Sequence, residues 1–470
     1  MPNKTIFSFV IDAHPKYAYQ GLHLAHSLTQ HCGGDPGSIH VQVLPEVAAG
    51  TRALFAELGC QVHEIDRFGD RRHCNKAAQV ETLCNIDFDR AILLDTDTIV
   101  LADIRPLIPT DRFAAKVVDY PNPSMGALEE IAFAAGLASL PPKVPVDAGV
   151  GFTYLGNCNG GLYSIPKALF GTVATEWRRY ILWLLHNDAA LRREGRQVHT
   201  DQVAMWLALY GKSVPYEPLP ANVNYYAHVD GGHHSYDPNL PIAMLHYHDA
   251  AMNVVGLIEP PFAVNGALAA AVAQANAQIG RNFDNRAFWD FRYSQFPQRG
   301  SGVGSRGENL AYKRSLLASL GIETAGSILD VGCGDLQVLK DFNLQDYLGL
   351  DRSEEAIRVA SAARPDWDFR VFDVAKDAAA IGVYDTVLCL EVAIHQETDD
   401  SYCQLIDFVA SRAKTELIIS GYEGLERSWL HSHMLFFHEP LSVSLARTKR
   451  FRDISIAGAH SDVTIFRCRV

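Results

Sequence analysis

Short apolar runs alternate with longer amphipathic stretches along the chain. TIFSFVID (5–12), IHVQVL (39–44) and CQVHEI (60–65) read as strands, and RAILLDTDTIVL (90–101) as a fourth, nearly unbroken one. Between them the segment from Tyr19 to Thr29 has helical apolar spacing, and Thr51–Leu58 reads as a helix ending at Gly59. A continuous Ile/Leu/Val run suits a strand covered on both faces, and strand–helix–strand alternation predicts a mostly parallel sheet between helices. A second series of this kind begins after residue 285, where SILDVGCGD, DYLGLDRS, DFRVFDV, YDTVLCLEV and TELIISGY are five strand candidates separated by helices. The stretch between the two series is Ala-rich (NGALAAAVAQANAQIG), follows Pro260-Pro261 and ends at Gly280. No internal repeat relates the halves. The pattern predicts an α/β fold class with two domains, 1–262 and 286–470, joined by a helical linker over 263–285.

Composition narrows the function classes. At 470 residues, 48% hydrophobic and 20% charged, the chain has the make-up of ordinary folded protein and the length for two or three domains. A formal charge of −13 argues against broad nucleic-acid binding, while leaving room for a local basic pocket. No run approaches the roughly 18–20 consecutive apolar residues of a membrane span. MPNKTIFSFVID enters a strand pattern directly, without the apolar core of a signal peptide. Nine cysteines with no C-x-x-C pair read as reduced thiols, so the expected location is cytoplasmic, with peripheral placement at the inner face of the membrane compatible. The 19 histidines cluster at His233-His234, His246-Tyr-His248 and His431-Ser-His433.

Asp95-Thr96-Asp97 follows the apolar run AILL. In parallel sheets ligands bind outside the carboxyl ends of the strands. Two carboxylates two residues apart can converge on one hard cation where the strand bends, and oxygen ligation suits Mg2+ or Mn2+. An Asp-rich turn is the bland alternative, but the apolar follow-on TIVLADI makes a solvated turn less natural. Around this pair stand YAYQGLHLAHSL after the first strand, NKAAQVETL ahead of the Asp pair, then NGGLYSI, TDQVAMWLAL and LHYHD. In this order the segments resemble the GT-A fold glycosyltransferase family that includes glycogenin and the lipopolysaccharide galactosyltransferases. The resemblance implies metal-dependent transfer of a sugar from a nucleotide-diphosphate donor, UDP-sugar in type, with retention of configuration. It also implies that Asp95 and Asp97, with His246 or His248, hold Mn2+ or Mg2+ on the donor diphosphate. Tyr17 falls where an aromatic stacks on uracil, and Asn159 and Gly160 fall at the donor. Gln202 falls near the anomeric carbon and Asp201 at the donor hydroxyls. A strand with period 2 would by itself put His246 and His248 on one face. One departure stands out. The family follows its metal histidine with Gly-x-x-Lys-Pro-Trp, whose lysine contacts the diphosphate. LHYHDAAMNVVG has no lysine or arginine, so Lys76 or an arginine of DRFGDRR (66–72) would have to serve.

In the second half, SILDVGCGDLQVL (327–339) is a strand, a glycine turn and a helix start, and glycines there allow close backbone approach of a ligand. Asp351 ends the next strand, Asp373 a third, and Glu391 and His395 follow a fourth. These residues resemble the class I S-adenosylmethionine-dependent methyltransferases. The resemblance implies Asp330, Gly332 and Gly334 around the methionine part of the cofactor, Asp351 at the ribose and Asp373 at the adenine. FWDFRYSQFPQRGSGVGSRGENLAYK (288–313) is similar to a signature of methyltransferases linked to glycan assembly, and it would bring Arg292 and Ser305 to the cofactor. Its glycines suit a mobile cover or, alternatively, a flexible interdomain linker. Methyl transfer to a hydroxyl needs a base, for which His395 leads, with His431 and His433 as further candidates; many such histidines merely cap or pack. The expectation is a bifunctional enzyme that transfers a sugar to a saccharide acceptor, free or lipid-linked, and O-methylates a sugar hydroxyl. The alternative is a methyltransferase with a non-glycan substrate, its N-terminal domain serving as a glycan-binding or regulatory module.

Overall fold

A computed structural model describes residues 4–248, 251–424 and 432–470. The chain divides into two compact units, Met1–Asn253 with Leu257–Asn282, and Val254–Gly256 with Phe283–Val470. No described helix is long and apolar enough to cross a membrane.

The first unit is built on a seven-stranded sheet in the order Tyr216–Pro218, Phe113–Ala115, Leu162–Pro166, Arg90–Leu94, Thr5–Ile11, Ile39–Val43, Gln61–Glu64. Leu162–Pro166 runs antiparallel to both neighbours and the other pairings are parallel. Arg90–Leu94 is buried at every residue, as its apolar run requires, with Trp177 and Trp206 in the core on one face and Phe9 and Val41 on the other. The expected strand over 90–101 is two strands. It breaks at Asp95-Thr96-Asp97, and Thr98–Val100 joins a separate three-stranded sheet with Met244–His246 and Tyr225–Tyr226. The antiparallel register sets His246 opposite Thr98, and the Tyr247 amide donates to the Asp97 carbonyl at 3.0 Å. The break therefore brings a histidine from 150 positions downstream beside the carboxylate pair.

The Ala-rich segment forms the helix Gly266–Arg281, which packs on the first unit. Ala271, Val272, Ala275 and Ile279 supply its buried stripe, the Gln274 amide donates to the Leu101 carbonyl at 2.8 Å, and Asn276 exchanges hydrogen bonds with the backbone of Ile258.

The second unit has a seven-stranded sheet in the order Asp368–Val371, Asp346–Asp351, Ser327–Val331, Tyr384–Cys389, Ala413–Gly421, Val463–Arg469, Asp453–His460. The first five are parallel and the last two form an antiparallel hairpin. That hairpin lies beyond the five strands expected from the pattern. Its outer strand, DISIAGAH, is an edge strand, and its Ile456 is exposed.

Beneath the small sheet of the first unit lies a buried charge cluster. Lys116 Nζ is 2.8 Å from Asp147 Oδ2, His233 Nδ1 is 3.1 Å from the same oxygen, and the ammonium sits over the Tyr226 ring. Lys116 is fully buried, so Lys116→Met would leave the Asp147 carboxylate without its cation, a loss of about 3–5 kcal/mol. Thermal unfolding should show a large drop in the melting temperature of the first unit, and an unchanged melt would remove this pair from the stabilising interactions.

Candidate active sites

In the first unit a cavity of about 610 Å³ opens at the carboxyl edge of the large sheet. Asp95, Asp97 and His246 converge in its wall, with one ligand atom of each within 4.8 Å of the others. His246 Nε2 is 3.3 Å from Asp97 Oδ1. Burial works against both charges of this pair, but their mutual attraction prevails: it holds the Asp97 carboxyl well below the usual range and raises His246. Two carboxylates and one imidazole are a donor set for Mn2+ or Mg2+. His248 lies outside this group. At a left-handed φ of +57°, it still lines the same cavity as His246, with its exposed ring against His228 (ring centroids 5.0 Å apart).

The Lys76 ammonium faces Asp95 Oδ1 at 2.6 Å and the Gly160 carbonyl. It thus partners the carboxylate pair, whereas Arg72 and Lys16 also line the cavity. Tyr17, Asn159, Asp201 and Gln202 line the same space, Tyr17 from the first turn of the helix Pro15–His31 and the latter two from the start of the helix Thr200–Gly211. Burial, with repulsion from Asp95 and against the pull of Lys76, lifts the Asp201 carboxyl up to about 7. The sequence reading missed His228 and Asn224, because neither belongs to a motif; only the fold brings them to His246.

The second unit holds a cavity of about 130 Å³ at the carboxyl edge of its sheet, lined by Asp330, Gly332, Asp351, Ser305, Glu391 and His395 among others. Gly332 has φ +81°, and a side chain there would overlap Val392. Gly334 donates its amide to Asp351 Oδ2 and Ser353 donates to Oδ1, both at 2.9 Å, which fixes the Asp351 carboxylate at the end of its strand. The Tyr347 hydroxyl donates to Asp330 at 2.8 Å, and burial pushes that carboxyl up to about 7.

The loop 300–307 is tied down by several bonds. Ser301 donates to Asp335 at 2.7 Å, Arg306 pairs with the same carboxylate, and Gly304 packs against the Glu391 carboxylate so closely that no side chain fits. Asp290 of the W-D-x-R-Y stretch accepts from the Ser353 hydroxyl at 2.5 Å and from the Glu355 amide at 3.1 Å, so it holds the segment that follows Asp351. His395 donates from Nδ1 to the Met434 carbonyl at 2.7 Å, leaving Nε2 as an acceptor, and burial pushes it down to about 4.

Other candidates are placed elsewhere. Asp373 caps the helix Val374–Asp377 by accepting from the Ala375 amide, and its neighbours Phe372 and Val374 line the cavity in its stead. Arg292 is buried against the Trp289 and Phe288 rings. His433 packs on Phe283 (ring centroids 5.5 Å apart), away from the cavity lining. His431 lies outside the described residues.

The strand orders define two α/β units in series, each with a seven-stranded, largely parallel sheet and a cavity at its carboxyl edge. No family model and no curated protein sequence matches the chain. Solved structures similar to its halves include the galactosyltransferase LgtC with donor and acceptor sugar analogues, at 17% identity over 59% of this chain and 96% of that one, TM-score 0.36. Magnesium protoporphyrin IX methyltransferase from Synechocystis PCC 6803 with bound SAM is 18% identical over 40% of this chain and 97% of its own, TM-score 0.31. The N-methyltransferase NodS from Bradyrhizobium japonicum WM9 with S-adenosyl-L-homocysteine is 15% identical over 34% and 86%, TM-score 0.29.

Glu391, at φ +61° after the fourth strand, sits 2.8 Å from Lys313 Nζ and 3.0 Å from His460 Nε2. Burial alone would raise its carboxyl, but the two partners bring it from 4.5 to about 2. Its stabilising contribution is therefore present above pH 4.5 and is lost as pH falls through about 2. In Lys313→Met the folded value rises toward the unfolded one, so acid unfolding of the second unit, followed by circular dichroism, should begin at a higher pH than in the wild type.

Proposed function

We propose that the first unit transfers a sugar from a nucleotide-diphosphate donor, UDP-sugar in type, to a saccharide acceptor. We further propose that the second methylates a sugar hydroxyl from S-adenosylmethionine. The observation that carries the first reading is the convergence of Asp95, Asp97 and His246 at a strand end inside a cavity large enough for a ligand. A module that only bound sugar would have no use for this donor set. Asp95, Asp97 and His246 would hold Mn2+ or Mg2+, which when bound supplies Lewis-acid stabilisation of a leaving diphosphate. Lys76 keeps one Asp95 oxygen engaged and so orients the carboxylate. Tyr17 offers its ring to the nucleobase. Asp201, whose carboxyl is raised by burial, and Gln202 line the same space and would hydrogen-bond sugar hydroxyls. Arg72 stands in the cavity wall as a cation for the diphosphate in place of the missing lysine.

In the second unit Asp351 would accept from the ribose hydroxyls, while the Gly332 turn allows backbone approach to the methionine portion, Asp330 contributes a carboxyl beside it and Ser305 closes the space. Bound S-adenosylmethionine supplies the activated methyl group. His395 Nε2 would take the proton of an acceptor hydroxyl, so that the methyl group could pass from sulfur to that oxygen with the demethylated thioether as leaving group. Burial keeps this imidazole neutral above about pH 4, so its basic form is present throughout the neutral range. Cytoplasmic placement and a lipid-linked acceptor fit this reading.

The test is mass spectrometry of simple glycosides incubated with donor sugars, Mn2+ and S-adenosylmethionine, looking for a sugar-mass gain followed by a methyl-mass gain. Asp95→Asn should abolish donor turnover, and equal turnover with and without Mn2+ would sink the transferase reading. Calorimetry should show S-adenosylmethionine binding to the wild type and little to Asp351→Ala. His395→Ala should bind the cofactor but lose methyl transfer by about 10²–10⁴-fold. With His395 as base, the wild-type rate should stay flat on its acid side until pH falls toward about 4; an acid limb centred near pH 6.5 would assign the base elsewhere.

A further inference from the structure

The stretch 288–313 brings two of its residues to one carboxylate. Gly304, in the glycine-rich loop, lies against Glu391 so closely that a Cβ would overlap the carboxylate, and Oε2 is the atom it would meet first. Lys313, on the helix Gly307–Ser319 that follows the loop, puts its ammonium 2.8 Å from Glu391 Oε1. From a distant part of the chain His460, the last residue of the edge strand Asp453–His460, comes within 3.0 Å of the same oxygen.

This arrangement aims the carboxylate. Lys313 is buried, and a buried ammonium is costly unless it is paired, whereas an apolar side chain of similar size would pack without that cost. What the ion pair adds is direction. Oε1 is held by Lys313 and His460, which leaves Oε2 facing the Gly304 backbone. There the hydrogen that stands in place of a side chain points at the oxygen, a Cα–H contact. The Glu391 backbone is fixed as well: its amide donates to Ser420 Oγ at 2.7 Å, at a φ of +61° that a residue with a side chain rarely adopts.

The loop has a second footing. Gly300 lies on the Asp335 carboxylate, which also accepts from Ser301 at 2.7 Å and pairs with Arg306. Asp335 follows the glycine turn and Glu391 follows the neighbouring strand Tyr384–Cys389, so the loop runs between two rims of the cavity that Ser301 and Ser305 line. Four of the eight residues 300–307 are glycine, a backbone that stays in place only while both footings hold it.

We infer that Lys313 and His460 are positioning residues that act through Glu391: they seat the loop 300–307 on the cavity rim and thereby govern the release of S-adenosylmethionine and of its demethylated product. The inference rests on the reading of this cavity as the S-adenosylmethionine site.

The test uses the full-length protein. The double variant Lys313→Met/Glu391→Gln removes both charges while keeping their volume, so that neither is left buried alone; circular dichroism checks its fold. Hydrogen–deuterium exchange reads the loop without ligand, and stopped-flow tryptophan fluorescence reads the release of S-adenosylmethionine and S-adenosylhomocysteine, with Trp289 in the cavity wall as a reporter. The double variant should exchange faster at residues 301–306, with the strand Ser327–Val331 unchanged, and should release both ligands at least about tenfold faster. His460→Leu should shift both readouts in the same direction, and a wild-type result there removes the histidine from the inference. Gly304→Ala should also speed release, but in a Glu391→Ala background it should change the rate by no more than about twofold, because the carboxylate it collides with is gone. A merely structural pair would not produce that rescue. Wild-type loop exchange, or wild-type release rates, in a folded double variant overturns the inference. A wild type that binds neither ligand, yet whose loop loosens in the double variant, overturns the cofactor site and leaves the seating of the loop standing.

Discussion

Both units place carboxylates where a strand leaves its sheet, and each such carboxylate must be matched by a nearby proton or charge. A carboxylate at a buried strand end is costly unless it is paired or well hydrogen-bonded. Asp95 is met by Lys76, Asp97 by His246, Asp330 by the Tyr347 hydroxyl and Asp351 by two backbone amides. Much of the local structure follows from meeting these demands. The split of the expected 90–101 strand lets Thr98 pair with His246, and the turn through Gly332 and Gly334 delivers an amide to Asp351.

These matches explain what the sequence shows and what it hides. Unbroken apolar runs such as AILL and the glycine turn after SILDV are local, so the parallel strands and both acidic edges can be read from them. Asn224, Lys313 and His460 lie far along the chain from the carboxylates or ring they serve, and no period or spacing links them. His248 is a different case. Alternation puts it on the face of His246 and it does line the same cavity, but it stands outside the Asp95, Asp97 and His246 group, at a left-handed φ that nothing in Tyr247-His248 announces. Asp373 illustrates a third limit: Asp at the start of a short helix is an N-cap by residue type alone, and capping satisfies the carboxylate without any ligand.

The W-D-x-R-Y stretch gains a physical account from the same constraint. Asp290 accepts from the Ser353 hydroxyl and the Glu355 amide, and the Ser353 amide donates to Asp351. The helix Asn285–Gln295 thus reaches the Asp351 carboxylate through one serine. Tyr293 works at the other end of the turn, where its hydroxyl and Ser301 close on Gly334 and leave no space for a side chain. The motif therefore acts as a clamp on the glycine turn and on Asp351, while Arg292 is spent on packing against its own aromatic neighbours.

The two sites solve the charge problem in opposite ways, and this bears on what each can take. In the first, the histidine holds the Asp97 carboxyl well below the usual range and Lys76 pairs with Asp95, so charges of both signs meet in the cavity wall. In the second, burial lifts Asp330 to about 7 and raises Asp351 as well, against the pull of the Tyr347 hydroxyl and of the Gly334 and Ser353 amides. Such a wall favours ligands that bring hydroxyl or ammonium donors. Part of the chain's charge of −13 is accordingly set by local surroundings: held at Asp97 by a histidine, and suppressed at Asp330 and Asp351 by burial.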